Sequence, residues 1–223
     1  MGGMRTPRRL AAAFVLTAAL SATGCVPNGS APGGAVSDSP TSAASGDASQ
    51  ARADLDALTV AAPRSMAGYS RDRFPHWTQQ GNGCDTREYV LKRDGTSVTT
   101  STSCHATGGK WLSPYDHKTV TDAAKLDIDH VVPLANAWRS GANAWTDDKR
   151  SQFANDLTRP QLVAVSLTTN RAKGDQDPSQ WKPPYQGYWC QYAENWITVK
   201  RYWQLTVTTA EKQALVDMLG TCQ

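Results

Sequence analysis

The sequence predicts an α+β domain that begins with a β-hairpin, ends with helices and is held together by disulfides. Residues 87–103 contain two strand-like runs around the turn signal Asp94-Gly95, which is typical of a hairpin. Residues 188–204 and 208–219 have helical patterns and close the chain. An even number of cysteines in the same part of the sequence indicates disulfides.

Residues 1–24 are predicted to be an export signal. Arg5, Arg8 and Arg9 precede an apolar run over residues 10–20, which is too short to span a bilayer. The segment before Cys25 resembles a bacterial lipobox, in which this cysteine becomes the lipidated first residue. Ordinary cleavage nearby, with full release, is the alternative. The sequence therefore predicts an exported protein, either a cell-surface lipoprotein that meets the membrane only through its lipid anchor or a secreted protein.

Three further segments follow the export signal. Residues 25–50 are rich in Ser, Ala, Gly and Pro and are predicted to be a flexible tether, because they lack the apolar surface that offsets ordering entropy. Residues 51–69 are predicted to be a helical linker segment that packs on the domain through Leu55 and Leu58. Residues 70–223 form the domain itself, which we expect to be a monomer.

The charge of the chain excludes a bulk polyanion binder. The 23 basic residues exceed the 20 acidic ones only because the export signal carries three arginines, so the mature chain would be neutral. Any role with nucleic acid must therefore come from a local site and not from an overall basic surface.

Four cysteines lie within the predicted domain, namely Cys84, Cys104, Cys190 and Cys222. Their even number and the lack of a Cys-x-x-Cys pair favour disulfides over a zinc site. Four cysteines allow three connectivities. We favour Cys84–Cys104 and Cys190–Cys222, because each pair brackets a self-contained segment.

The middle of the domain is predicted to contain two strands and three helices. Residues 126–132 begin with alternating apolar and polar residues and end before Pro133, as a short strand that runs into a loop would. Residues 161–165 are predicted to form the second strand. The helices are predicted over residues 134–140, residues 146–155 with Thr146 as N-cap, and the residues between Ser166 and Gly174.

Two motifs in this region carry a family resemblance. They are Asp127-Ile128-Asp129-His130-Val131-Val132-Pro133-Leu134 and, forty residues after the histidine, Asn170-Arg171-Ala172-Lys173-Gly174-Asp175. The chain resembles exported HNH endonucleases related to the C-terminal nuclease domain of GmrSD-type modification-dependent restriction enzymes, over most of residues 70–222. The resemblance implies a ββα-metal core, also called the His-Me finger, and hydrolysis of phosphodiester bonds.

The resemblance also implies roles for individual residues. Asp129 and Asn170 correspond to the metal ligands, and His130 is the residue that activates water. Gln161 stands where the family usually has an asparagine that steadies the loop between the strands, which is a departure from the pattern.

Four other residues are candidates for contact with the substrate because of their positions. Lys173 follows Asn170 by one helical turn, where its ammonium could meet a phosphate oxygen. Arg171 is a weaker candidate for that task. Arg87 and Glu88 either approach the site or form a surface ion pair.

The expected ligand atoms suggest the cofactor. A carboxylate and an amide oxygen form a hard, incomplete ligand set, which favours one Mg²⁺ or Mn²⁺ ion completed by water and substrate phosphate. The expected substrate is nucleic acid cut with low sequence specificity, with DNA favoured over RNA.

A function of another class competes with this interpretation. The chain has eight tryptophans, and exposed rings in a row would suit a catalytically inactive, surface-anchored module that binds cell-wall glycan. Packing in the core is the alternative use of the same rings, so their exposure distinguishes the two functions.

Overall fold

The structure is a computed structural model that describes residues 41–223, with side chains from residue 48 onward. The predicted export signal, the predicted lipidation site at Cys25 and residues 25–40 of the predicted tether lie outside the described residues. Within residues 41–223, no helix has both the length and the apolar character needed to cross a membrane.

The first described element is helix α1 (Thr41–Asp56). It begins ten residues before the end of the predicted tether, so that boundary differs from the prediction. The predicted packing residues Leu55 and Leu58 are both buried, and Arg52 donates a hydrogen bond of 2.7 Å to the carbonyl of Leu219. The helix is therefore joined to the domain near the last residues of the chain.

The remaining strands and α-helices follow in the order β1 (Gln79–Gly81), β2 (Cys84–Asp85), α2 (Thr86–Asp94), β3 (Thr96–Thr100), β4 (Ala106–Ser113), β5 (Lys118–Val120), β6 (Leu126–His130), α3 (Leu134–Arg139), α4 (Asp147–Ala154), β7 (Leu162–Ser166), α5 (Leu167–Lys173), α6 (Trp189–Trp203) and α7 (Thr209–Leu219). The strands form three small antiparallel sheets, β1-β2, β3-β4-β5 and β6-β7. The fold is α+β, as predicted.

The predicted ββα core consists of β6, β7 and α5. In the β6-β7 pair, Asp129 lies opposite Val163 and His130 lies opposite Leu162. Helix α5 begins at the residue after β7. The two motifs that carry the family resemblance are therefore neighbours in space, since one ends β6 and the other ends α5.

The predicted hairpin over residues 87–103 is wrong. Its first half is helix α2, because Asp85 caps the helix by accepting a hydrogen bond of 2.9 Å from the backbone N–H of Glu88. Val90 and Leu91, which look strand-like in sequence, are buried on one side of this helix. Its second half, β3, pairs with β4 instead.

Two hydrophobic cores flank the β6-β7 sheet. The smaller core gathers buried side chains from α2, β4, β6 and β7, including Leu126 and Ile128. The larger core gathers side chains from α1, α3, α4, α6 and α7, together with Tyr115. Because successive side chains of a strand point to opposite faces, β7 contributes Leu162 and Ala164 to the smaller core and Val165 to the larger one.

Both favoured disulfides are present. The Cα atoms are 5.1 Å apart in Cys84–Cys104 and 5.0 Å apart in Cys190–Cys222. The first joins β2 to the connection between β3 and β4, and the second joins the first turn of α6 to the residues after α7. In the loop-entropy model, each contributes on the order of 3 kcal/mol to stability.

Candidate functional site

A cavity of about 300 Å³ lies at the end of β6. Among the residues that line it are Arg71, Asp129, His130, Asn170, Arg171 and Asp175. The imidazole predicted to activate water and the two predicted metal ligands therefore share one cavity. Arg71 is an addition that the sequence motifs did not indicate.

His130 is held as a buried, neutral base. Its Nε2 atom is 2.9 Å from the carbonyl oxygen of Ala154, and since a carbonyl only accepts, Nε2 carries the hydrogen. Burial lowers the pKa of His130 to about 3, so the ring is neutral at physiological pH and Nδ1 carries the lone pair. The ring also stacks on Trp77, with centroids 5.6 Å apart and planes 22° apart.

Asp129 lies in a buried ion pair with Lys173. The Lys173 ammonium donates to both carboxylate oxygens, at 2.9 and 2.8 Å, and to the carbonyl of His130 at 2.9 Å. The Tyr115 hydroxyl donates to Oδ2 of Asp129 at 2.5 Å. Burial raises the pKa of the Asp129 carboxyl, and the charge and hydrogen bonds of Lys173 oppose that shift.

The prediction that Lys173 contacts a substrate phosphate is corrected by this arrangement. An ammonium has three donors, and all three are used within the protein. The side chain is fully buried because the last turn of α5 packs over the end of β6. Lys173 instead positions the carboxylate of Asp129.

Asn170 lies beside a carboxylate that the resemblance did not single out. Its Nδ2 atom donates to Oδ2 of Asp127 at 3.2 Å. Asp127 and Asp129 are two residues apart on one strand and therefore project from the same face. The alternation of these two aspartates in the sequence was the signal that could have identified Asp127.

The donor atoms at this end of the cavity suit a hard divalent cation. A carboxylate offers about four acceptor positions, and Lys173 and Tyr115 occupy three of those of Asp129, which leaves one at Oδ1. Asn170 also lines the cavity, and its amide oxygen is the second potential ligand atom. Carboxylate and amide oxygens are the ligand types that Mg²⁺ and Mn²⁺ prefer.

Gln161 holds the turn that follows β6. Its Oε1 accepts from the backbone N–H of Val132 at 3.0 Å, and its Nε2 donates to the carbonyl of the same residue at 2.9 Å. Its own carbonyl accepts from Val131 at 2.7 Å. The side chain is fully buried and acts on the backbone that carries His130.

Arg87 and Glu88 make structural contacts away from this cavity. Arg87 donates to the carbonyls of Ala123 and Leu126, before and at the start of β6. Glu88 accepts from Arg87 and from the backbone N–H of Ala106 in β4. These bonds join α2 to two strands, so the prediction that the pair approaches the substrate is corrected.

Arg171, in contrast, is exposed and lines the cavity.

A second cluster of potential metal ligands lies away from this cavity. Within residues 48–223, Cys190, Glu194 and Cys222 form a cluster of potential metal ligands. The two sulfur atoms are bonded to each other in a disulfide. A disulfide offers no thiolate to a metal ion, so this cluster does not compete with the cavity of His130.

All eight tryptophans are buried or half-buried in the structure. Their rings pack in the two cores and along the edges of these cores, and the exposed large aromatic residues are tyrosines. The row of exposed rings that a glycan-binding module needs is therefore not formed by tryptophan.

Comparisons with known proteins agree with the resemblance in the motifs. A family model described as the C-terminal domain of GmrSD restriction endonucleases matches residues 85–218, more than half of the chain. An uncharacterized secreted protein of Arthroderma benhamiae is 57% identical over 175 residues, which cover 78% of this chain and 86% of that relative. No solved structure gives a significant match.

Proposed function

We propose that this chain, which belongs to the family of the C-terminal domain of GmrSD restriction endonucleases, is an exported metal-dependent endonuclease. The proposed reaction is hydrolysis of phosphodiester bonds in nucleic acid, with DNA as the favoured substrate. The observation that carries the proposal is that a neutral imidazole and two hard oxygen ligands line one cavity.

In this proposal, His130 is the general base. Its free lone pair at Nδ1 accepts a proton from the attacking water, while Ala154 holds the N–H on the other side of the ring. Trp77 restricts rotation of the ring by stacking on it. These contacts keep one nitrogen available in one orientation, which is what a general base in a small cavity requires.

Asp129 and Asn170 are the proposed ligands of one Mg²⁺ or Mn²⁺ ion. Such an ion, when bound, neutralises the charge that develops on the phosphate and the leaving oxygen. Lys173 and Tyr115 hold the Asp129 carboxylate in place for this task. Gln161 holds the turn that follows Asp129 and His130 in the chain.

Arg171 is the proposed contact to the sugar-phosphate backbone. It is exposed at the rim of the cavity, and a guanidinium binds phosphate oxygens with parallel hydrogen bonds. Contacts to phosphate carry no base information, so we expect low sequence specificity.

The proposed place of action is outside the cytoplasm. Two disulfides fit an oxidising compartment, and the similar fungal protein is described as secreted. Anchoring through a lipid at Cys25 and full release after cleavage are the two alternatives within the proposal. In either case the protein is proposed to act as a monomer. Mass spectrometry of the mature N-terminus distinguishes the two alternatives.

The test is cleavage of plasmid DNA by the purified protein. We expect cutting with Mg²⁺ or Mn²⁺, and complete loss of cutting with EDTA, in H130A and in N170A. H117A is the matched control, because His117 lies on another surface, stacked on Tyr185, and is expected to keep full activity.

Circular dichroism and thermal unfolding must show that the variants are folded. Cutting that persists in EDTA and in both site variants would overturn the assignment of the site. A parallel assay on single-stranded DNA and on RNA identifies the substrate.

A further inference from the structure

We propose that Arg71 is a second phosphate-binding residue of this cavity, which holds the nucleic-acid backbone together with Arg171. This inference rests on the proposed function, since it concerns how the same site binds its substrate. Arg71 lies in a short 3-10 helix (Arg71–Arg73) that precedes β1. It is exposed, and it lines the cavity that also contains His130.

The balance of charge in the cavity points to an anionic ligand. Both of the carboxylates that line it already have cationic partners, Asp129 with Lys173 and Asp175 with Arg139. Arg71 and Arg171 line the same cavity, and in the described part of the chain neither makes an ion pair. Two guanidinium groups without an ion-pair partner in this cavity favour binding of phosphate.

The side chain of Arg71 is oriented by His76. Its Nε donates to Nε2 of His76 at 3.4 Å, while Nδ1 of His76 bonds the carbonyl of Phe74 at 2.8 Å. The two bonds are consistent with one neutral tautomer, in which Nδ1 donates and Nε2 accepts. The four N–H groups on the terminal nitrogens of Arg71 make no hydrogen bond to residues 48–223, so the bidentate fork is free.

The arginine is also close to the proposed reaction centre. The ring of His76, which bonds Arg71, is 6.2 Å from the ring of His130, centroid to centroid. The same segment supplies Trp77, which stacks on His130. Arg71 is therefore placed to hold a phosphate next to the base.

The segment that carries Arg71 is anchored firmly. Phe74 is fully buried in the larger core, and the carbonyl of Arg73 accepts from Arg150 at 2.9 Å. These residues precede the family-matched residues 85–218. Arg71 therefore lies outside the region that matches the family, and its segment is held in a fixed position at the site.

Arg73 offers a matched control. It belongs to the same short helix and carries the same charge, but its guanidinium lies 5.6 Å from the ring of Trp138 and pairs with Asp147 at 3.7 Å. R71Q and R73Q thus remove one charge from the same turn, and only R71Q removes it from the cavity.

The measurement is binding of a short fluorescent DNA duplex in EDTA, over a series of salt concentrations. We expect R71Q to weaken binding about fivefold to tenfold and to reduce the slope of log Kd against log salt by about one. R73Q is expected to keep the wild-type slope. R71K keeps the positive charge but loses the two parallel hydrogen bonds of a guanidinium. It is expected to bind DNA more weakly than the wild type, with the same slope of log Kd against log salt.

Two outcomes separate the inference from the function on which it rests. If the wild type cuts DNA and R71Q has the slope and affinity of R73Q, the role of Arg71 is overturned while the nuclease stands. If the wild type neither binds nor cuts any nucleic acid, the proposed function fails, and the inference fails with it. Thermal unfolding of R71Q and R71K tests whether the variants are folded. Because Arg71 makes one hydrogen bond, its substitution is expected to leave the melting temperature unchanged.

Discussion

Two buried pairs of lysine and carboxylate occupy different regions of this protein. Lys173 bonds Asp129 at 2.8 Å beside the cavity, and Lys200 bonds Glu211 at 2.5 Å between α6 and α7. Both lysines are fully buried, and burial lowers the pKa of each while its carboxylate opposes the shift. The two interactions are alike, so their surroundings determine what each one does.

The pair between the helices makes structural contacts on every side that the fold presents to it. Glu211 accepts from Trp196 at 2.6 Å as well as from Lys200, and its other oxygen completes the capping box with Thr208. Lys200 also donates to the carbonyl of Thr206 and to Ser140. Every contact ties one structural element to another, which indicates a role in stability.

The pair beside the cavity differs in its neighbours. Asp129 is adjacent in sequence to His130, and both residues line the cavity that also contains Asn170. We infer that Lys173 supports both the fold and the site, whereas Lys200 supports the fold alone. The predictions below test this difference.

The largest expected effect comes from K173M compared with K200M. Each leaves a buried carboxylate without its partner, so each is expected to lower the free energy of unfolding by about 3–5 kcal/mol. K173M is also expected to lower cutting per folded molecule by about 10- to 100-fold, because the Asp129 carboxylate loses its support. Urea unfolding and activity at low temperature measure the two effects separately.

Double variants provide the control for this comparison. K200M/E211L replaces the helix pair by apolar side chains and is expected to recover most of the stability with normal cutting. D129L/K173M is expected to recover stability without cutting. Equal activity losses in K173M and K200M would contradict the division of roles.

The next effect is expected from pH. The pKa of His130 is about 3 in the folded protein and about 6.5 in an unfolded chain, so between these values only the unfolded chain binds the proton. The free energy of unfolding should therefore fall as the pH is lowered through this window, by up to about 1.4 kcal/mol per pH unit. H130Q should lack this contribution.

The measurement for the pH prediction is denaturant unfolding of both proteins in EDTA between pH 3.5 and 7. If the free energy of unfolding depends on pH in the same way in the wild type and in H130Q, burial does not hold the imidazole neutral. The region of Lys200 contains no histidine in contact with the pair, so K200M should keep the wild-type pH dependence.

The smallest expected effect is that of T208A. This change removes the hydroxyl that accepts from the backbone N–H of Glu211 at 3.1 Å and should cost about 1 kcal/mol. Cutting per folded molecule should be unchanged, because neither Thr208 nor Glu211 lines the cavity of His130. A loss of activity larger than the loss of folded protein would place α7 in the site.

Local patterns predicted much of the fold. The strands β6 and β7, the helices α3 to α7, the cap at Thr146 and both disulfides follow from alternation, capping residues and cysteine spacing. Helix α2 was missed because Tyr89 and Val90 favour strands, while the cap at Asp85 outweighs that preference. The spacing of Asp85 and Glu88 was the available signal.

The candidate site was predicted less completely. The motifs predicted that Asp129, His130 and Asn170 meet, and these residues line one cavity because β6 and α5 belong to the same ββα unit. The burial of Lys173 depends on how α5 packs over β6, which no local pattern contains. Arg71 lines the cavity and Trp77 stacks on His130, both from a segment more than fifty residues before His130, so only the tertiary structure reveals them.

The Cys84–Cys104 disulfide has a practical consequence for anyone who handles this protein. Thr102 and Ser103 are exposed next to the bridge, in the kind of loop tip that proteases nick. A single break there leaves the two fragments covalently joined. Nicked and intact molecules would therefore migrate together on a gel until a reducing agent is added, so a preparation checked only without reductant can be a mixture.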